Sequence, residues 1–528
     1  MTKLTRATFT VAFFFAVNKI LAIARQLIIA HQFGLSSDLD VFNVANNIPD
    51  MLYALISGGA LAMAVIPVLS EVLTKQGRDA AWGIFSRIAN IAFIITIGLS
   101  ALVAIFAELL VKSRIGIAPG FSQEQQALVV NLMRLDLIGT MIFSMAGLMI
   151  AGLQANKHFL LPAIAPIFYN LGQIFGAVVL APEYNYSVAG ISIPALGMGI
   201  YGIVYGVLIG SALFFLVQVP GFIAFNFKWT PRLDFHNPDV KKILTMLGPR
   251  VASMFCYQLT FIARDNIASY LGKGAPTALT YGWMIQQVPE TLIGTAIGIV
   301  LLPTISELFT RRQMGKFKAT IERVTRVLIA LTLPASFLLA AALPPFLTLA
   351  FGFGTAETEQ LLWVTRGFLV GLLGHSLLEL GTRVFFAQQN AIIPFIGAAL
   401  NLVLYVLLGS WLATPLGAPG VSLADSLAFT AQAIFLLVLF QLHFAKKQGE
   451  KNLQKNTIFQ AFTGSPAVKA TILRSLMASL IGTAAIKAVL HIMGGTLPSL
   501  ALGLISSSIG LALALPFIWK EVRILLQL

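Results

Sequence analysis

Residues 8–30 read TFTVAFFFAVNKILAIARQLIIA. A hydrocarbon core about 30 Å thick is crossed by roughly 20 mostly apolar helical residues, so this stretch is long enough to span a bilayer as one helix. It is not a plain anchor, because Lys19 and Arg25 lie inside the apolar run. Each such charge costs about 2.5–3.5 kcal/mol near the midplane, and normally faces a bundle interior or a wet cavity. The stretch is also too long and too charged for a cleaved signal peptide, and it lacks a small-x-small cleavage site, so it is expected to stay in the chain.

The pattern recurs along the chain. Of 528 residues, 57% are apolar and 11% charged, against roughly 45–50% and 25% in soluble domains. Apolar stretches of spanning length begin near residues 8, 41, 81, 123, 158, 199, 238, 275, 316, 356, 391, 417, 466 and 498. The ten-residue alternating segments of an outer-membrane barrel are missing. The predicted fold is therefore an all-α polytopic membrane protein of about 14 transmembrane helices. The single cysteine, Cys256, sits within an apolar stretch, which leaves no disulfide framework or thiolate metal cluster; it reads as a small core residue.

Net charge is +14. Basic residues crowd the N-terminus (Lys3, Arg6) and every second connection, among them Lys75/Arg78, Lys228/Arg232, Arg311/Arg312 and Lys446/Lys447. The alternate connections are poor in them. By the positive-inside rule both termini are expected in the cytoplasm, with an even number of spans. The charge lies in membrane-flanking loops and not on one soluble face, which argues against nucleic acid as a partner.

A two-fold internal repeat organises the spans. Ile23-Ala24-Arg25 recurs as Ile262-Ala263-Arg264, and Asn46-Asn47-Ile48-Pro49-Asp50 as Gln286-Gln287-Val288-Pro289-Glu290. Pro67-x-x-Ser70-Glu71 returns as Pro303-x-x-Ser306-Glu307, Arg87 as Arg323, Arg134 as Arg366, Ser144 as Ser376 and Pro162 as Pro394. The order is kept while the offset drifts from 240 to 232 residues. Two six-helix lobes in the same membrane orientation are expected, at 1–233 and 234–447, with 448–528 supplying a basic linker and two further helices. Parallel repeats of this kind hold substrate between their halves.

The repeat makes Arg25 and Arg264 symmetry mates. Joined by Lys19, they suit a phosphate-bearing ligand, since arginine offers bidentate donors and lysine a point charge. These cations have no evident local carboxylate surplus; Asp265 is available to Arg264, and Asp40 lies at the outer end of span 2. Asn43, Asn47, Gln286, Gln287 and Glu290 extend a polar cavity lining, against the alternative of amide bonds between packed helices. Pro49 and Pro289 break the helical hydrogen-bond ladder at matching places and are candidate hinges. Arg134, Asp136 and Arg366 read as interfacial anchors. Glu379 stands between His375 and Arg383 at four-residue spacing, the order of an intrahelical ion pair, with a proton relay as the other reading. Ser57 to Ala60 and Gly294 to Gly298 read as close helix packing.

Enzyme motifs are missing: there is no H-E-x-x-H, G-x-S-x-G, Walker A lysine or cysteine pair. The chain is therefore read as a transporter and not an enzyme, with neither cofactor nor metal. Transport would draw on membrane potential, an H⁺ or Na⁺ gradient, or the substrate's own gradient.

Asn18-Lys19 through Arg25, Phe33-Gly34, Asp40-x-Phe42, Ile48-Pro49-Asp50-x-Leu52, Gly59-Ala60 and Pro67-x-Leu69-Ser70-Glu71 resemble the opening of the MurJ (MviN) lipid II flippases. So does Tyr281 to Pro303. These flippases belong to the multidrug/oligosaccharidyl-lipid/polysaccharide exporter superfamily. The resemblance implies two lobes around a cationic cavity for a pyrophosphate-linked headgroup, a groove for the polyprenyl tail at spans 13–14, and alternating access in a bacterial inner membrane. It implies lipid II and membrane lipids as partners and a functional monomer. Arg25 matches a cavity arginine of the family and Asp40 its acidic residue, while Lys19 stands where arginine is usual. The chain departs from the family at Gln26, Tyr53, Trp283, Met284 and Gln287, where charged residues are usual, and Arg264 with Asp265 is a candidate replacement. Lipid II flipping is the leading reading. Transport of another polyprenyl-linked saccharide, or cation or drug antiport, are the alternatives.

Overall fold

The computed structural model describes residues 3–525 apart from 57–59, 189, 235–236, 448–465 and 495–496. Ser57 to Gly59 of the first glycine stretch, and Lys451 and Lys455 of the basic linker, lie outside the described residues. The chain divides into two compact units, Met1–Gly274 and Ala275–Leu528.

In the first unit, α1 (Lys3–Phe33), α2 (Ser37–Ile56), α3 (Ala60–Gln76), α4 (Arg78–Ile105), α5 (Ala107–Lys112), α6 (Gln123–Ala155), α7 (Leu160–Phe175), α8 (Ile200–Leu216), α9 (Val219–Ala224) and α10 (Pro238–Ala268) follow one another. A short antiparallel hairpin, β1 (Tyr186–Val188) and β2 (Ile191–Ile193), interrupts them. Local chemistry sets the starts. Ser122 caps α6 and Gln125 reaches back to it in a capping box, while Asn237 accepts from the amides of Asp239 and Val240 ahead of a proline in the first turn of α10. The core of α3, α4 and α6 closes on the rings of Trp82, Phe85, Phe222 and Phe227. Helices α7 and α8 meet backbone to backbone: a Cβ on Gly172 would stand 2.3 Å from the Cα of Gly210. Lipid supplies no hydrophobic drive between helices, so such close approach is what van der Waals packing uses instead.

The second unit holds α11 (Ala275–Glu290), α12 (Ala296–Thr310), α13 (Met314–Phe351), α14 (Thr355–Val370), α15 (Leu372–Ala387), α16 (Ile392–Leu416), α17 (Ala418–Lys447), α18 (Pro466–Met493) and α19 (Ser499–Leu525). Helices α11 and α12 form one span joined by a π turn, Thr291–Thr295, which begins two residues after Pro289. Gly294 in that turn packs on Ser376, where an added Cβ would lie 2.8 Å from the hydroxyl oxygen. Helices α18 and α19 pair with each other and lie on α13, sharing a core of Leu338, Ala342, Ala478, Ile486 and Ala514.

Among the described residues, twelve helices are long and apolar enough to cross a membrane, each beginning close to its expected start. The other two expected spans, near residues 41 and 238, are also helical but too polar to qualify on composition. Helix α2 carries Asp38, Asp40, Asp50 and three asparagines, and α10 carries Arg264 and Asp265 in its last turns. Their polar groups must be satisfied by protein, because lipid cannot do it.

The repeat has a structural echo in an arginine pair. Arg134 Nε donates to the carbonyl of Ala104 at the end of α4, and Arg366 Nε donates to the carbonyl of Ala340 in α13, both at 3.0 Å. Residue 344 is proline, so Ala340 has no amide four residues on to accept, and Arg366 supplies the missing donor. These arginines therefore satisfy main-chain carbonyls of a neighbouring helix, which refines the anchor reading. Asp136 departs from it altogether. It lies well inside the 33-residue α6 and is 4% exposed.

Candidate functional site

Helix α10 takes its principal contacts from α2, α3 and α4, which places Arg264 in the same unit as Arg25. Arg264 is buried, and its Nε and Nη2 both donate to Asp265 Oδ1 at 3.2 Å. Asn47 of α2 donates its side-chain amide to the other Asp265 oxygen. The guanidinium also lies over the Phe261 ring, 5.2 Å from its centroid. Three sequence candidates, Asn47, Arg264 and Asp265, are thus one hydrogen-bonded group joining α2 to α10. A buried ion pair is tolerated when its remaining lone pairs are filled, and Asn47 fills one.

Asp40 does different work. It is buried and accepts from the amide of Gly274 at 2.6 Å, tying the start of α2 to the loop that follows α10. Gly274 adopts φ 84°, a left-handed conformation that favours glycine. Asn43 is half-buried on the same helix, and Pro49 is buried inside it.

Arg25 of α1 is half-buried, whereas Lys19 is exposed. The Arg25 charge acts through space on Asp50 of α2, and Asp50 in turn acts on Asp136 of α6. Tyr169 of α7 shares this field with Asp50, Arg25, Asp136 and Tyr53. Phe143 packs between the two tyrosines, at 4.5 Å from Tyr53 and 4.7 Å from Tyr169. Arg264 is thus paired with the Asp265 that the sequence offered it, and the Arg25 charge falls on Asp50.

Asp50 is the residue that the sequence reading did not single out, although it was visible beside Pro49 in the repeated motif, and Asp136 was assigned to an interface instead of to this group. Neither carries a spacing that ties it to Arg25, because α1, α2 and α6 are brought together only by packing.

In the second unit, Gln286 is fully buried in α11, and neither of its side-chain polar atoms has a hydrogen-bond partner among the described residues. Gln287 and Pro289 are half-buried. Glu290 is buried and accepts from the Thr295 hydroxyl at 3.2 Å across the π turn. No group of three His, Cys, Asp or Glu among the described residues could hold a metal ion. The first unit thus offers one buried arginine, Arg264, paired with Asp265, and one half-buried arginine, Arg25, whose charge reaches Asp50. Guanidinium groups offer bidentate donors to phosphate as well as to carboxylate.

A sequence profile of the family described as "Lipid II flippase MurJ" matches residues 29–513. The chain is 28% identical over 449 residues to a Burkholderia cenocepacia protein named lipid II flippase MurJ, covering 82% of this chain and 83% of that one. It is 26% identical over 442 residues to a Thermotoga maritima protein named probable lipid II flippase MurJ, covering 81% and 84%. Among solved structures, lipid II flippase MurJ in an inward closed conformation superposes with a TM-score of 0.73 at 21% identity, over 98% of this chain and 99% of that one. An inward-facing multidrug resistance MATE family transporter of the MOP superfamily superposes with a TM-score of 0.68 at 14% identity, over 82% and 96%. Both superpositions speak to the fold.

Proposed function

The chain belongs to the lipid II flippase MurJ family, and from that premise we propose that it carries lipid II from the inner to the outer leaflet of a bacterial plasma membrane by alternating access. The observation that carries this reading is the extent of the family match, which runs over residues 29–513. The protein is a transporter and not an enzyme. Its proposed organisation follows the repeat: lobes at 1–233 and 234–447, a C-terminal part at 448–528, both termini in the cytoplasm, and a monomer as the working form.

The pyrophosphate would be held by Arg25 and Arg264, with Lys19 as an additional point charge. Before the substrate arrives Arg264 is held by Asp265, and the Arg25 charge acts on Asp50 through space. Phosphate oxygens would displace those neighbours, and the bidentate geometry of guanidinium favours the exchange. Asn47 would retain Asp265 while Arg264 turns to the substrate. Pro49 and Pro289 are the proposed hinges. The polyprenyl tail would lie against α18 and α19, whose apolar surface includes the exposed side chains of Leu480, Ile481, Leu504 and Leu511. Membrane potential is worth about 2.3 kcal/mol per charge per 100 mV and pushes anions outward from a negative interior, so it could drive the step. An H⁺ or Na⁺ gradient is the other source.

Complementation tests this directly. A bacterium depleted of its own lipid II flippase is supplied with the native chain or with Arg25→Ala, and surface lipid II is measured. The native chain should restore both growth and surface lipid II, and Arg25→Ala should restore neither at equal expression. A native chain that is well expressed yet leaves lipid II on the inner leaflet defeats the proposal.

A further inference from the structure

The second unit contains a buried group of ionisable side chains that the phosphate site does not use. His375 of α15 and Asp425 of α17 are each 8% exposed, and His375 Nε2 lies 3.1 Å from Asp425 Oδ2. Phe429, one helical turn beyond Asp425, stacks on the imidazole with ring centroids 4.1 Å apart and planes inclined by 20°. Glu290 of α11, also 8% exposed, is acted on through space by His375 and Glu379. Glu379 is paired with Arg383 at 3.0 Å on the same helix as His375.

All of these side chains lie within candidate membrane spans. His375 falls in the span Thr355–Ala387, about 30 Å from one end and about 18 Å from the other at 1.5 Å per residue. The other elements packed on α15 add no charge at this point. Helix α16 has no Asp, Glu, Lys, Arg or His. Glu307 of α12 is paired with Arg311, Arg326 of α13 with Glu521, and Arg366 of α14 donates to a carbonyl. The remaining charged residues of α13, α14 and α17 stand toward the ends of those helices.

Glu379 and Arg383, both half-buried, offset each other, so the buried acidic groups beside the imidazole are Asp425 and Glu290. A negative charge buried among helices is costly, and a proton on His375 lessens that cost where a neutral ring would not. A nitrogen facing one carboxylate, without further oxygen ligands, suits a proton better than a hard metal cation. The site also touches a deformable element. Glu290 precedes the π turn and accepts from Thr295 in it, and Gly294 of the same turn packs against Ser376, the neighbour of His375. π turns inside α-helices are frequent at functional sites.

We propose that His375 and Asp425, backed by Glu290, form a proton-binding site whose occupancy sets how the π turn packs on α15. On the transport reading above, this would be the site at which a proton gradient couples to lipid II movement. A static core hydrogen bond from a permanently neutral histidine is the alternative.

Two measurements decide the matter. The full chain, labelled with ¹⁵N-histidine and placed in lipid bilayers, is titrated by NMR, and the His375 signals are identified by their loss in His375→Gln. That variant keeps a neutral donor toward Asp425 without a titrating ring. The His375 signals should change from neutral to charged as pH is lowered, and Asp425→Asn should move the midpoint. Signals that stay neutral throughout, or a midpoint unmoved by Asp425→Asn, overturn the site. In proteoliposomes, lipid II flipping by the native chain should follow pH with the same midpoint, and His375→Gln should remove that dependence. A pH profile unchanged in His375→Gln overturns the coupling. A chain whose His375 titrates as described but which moves no lipid II keeps the proton site and overturns the transport reading instead.

Discussion

Glu521 in α19 is 0% exposed, yet it is ionisable and holds helices together. It accepts from Arg326 of α13 at 2.9 Å, from Arg474 of α18 at 2.6 Å and from the Thr471 hydroxyl at 2.8 Å. Glu521→Gln keeps the shape and one carbonyl oxygen but removes the charge that both guanidinium groups face. Charge-assisted hydrogen bonds contribute about 1.5–3 kcal/mol each. The Arg326 side chain is 12% exposed, so its share is largely at risk, whereas Arg474 is 31% exposed and its share is reduced by screening. The expected loss is roughly 3 kcal/mol, at the lower end of what breaking a buried pair costs. It should appear in denaturant unfolding of the protein in mixed micelles, and hydrogen exchange should localise it to α18 and α19. A cycle of Glu521→Gln, Arg326→Gln and the double variant should show coupling of at least about 1 kcal/mol. Strict additivity, or a Glu521→Gln stability within about 0.5 kcal/mol of native, would refute the argument.

Other outcomes follow from the same coordinates. Gly172→Ala should destabilise by about 1–3 kcal/mol, because its Cβ would strike the Gly210 backbone. Gly83→Ala, whose Cβ meets nothing within 4 Å in the second turn of α4, should be neutral or stabilise by up to about 1 kcal/mol in the same unfolding assay. Arg366→Leu should cost about 1–3 kcal/mol by orphaning the Ala340 carbonyl, and Pro344→Ala should recover part of that loss by restoring an amide to it; no recovery would show that the arginine acts some other way. His158, in the loop between α6 and α7, has its pKa lowered by burial. The unfolded chain therefore binds this proton more readily, so His158 stabilises above about pH 6.5 and that contribution fades as pH falls through the folded value. His158→Gln should flatten this part of the stability profile, measured as unfolding midpoint against pH.

Much of the architecture was legible because a bilayer simplifies the problem. Spanning helices must be long and apolar, and their starts announce themselves in composition, as with Gln123, Ala275 and Pro466. Where function intrudes, the signal fades for a physical reason: α2 and α10 are too polar to pass as spans because they carry Asp40, Asn47, Arg264 and Asp265. The repeat was legible too, and Arg134 and Arg366 repay it by performing the same task on α4 and α13. Their partners, however, are main-chain carbonyls, which a string of side chains does not display.

The sequence by itself determined that the chain is a helical membrane protein with two related halves, with arginines inside the apolar layer and a family likeness that names a substrate class. Those properties rest on hydropathy, order and residue identity, each of which is local. Tertiary structure decided who partners whom. It set Asn47 on Asp265, Asp50 in the field of Arg25, Asp425 on His375, and Glu521 between two arginines. In a low dielectric the meaning of a charge depends on its nearest neighbour, and across helices that neighbour stands at no fixed distance along the chain.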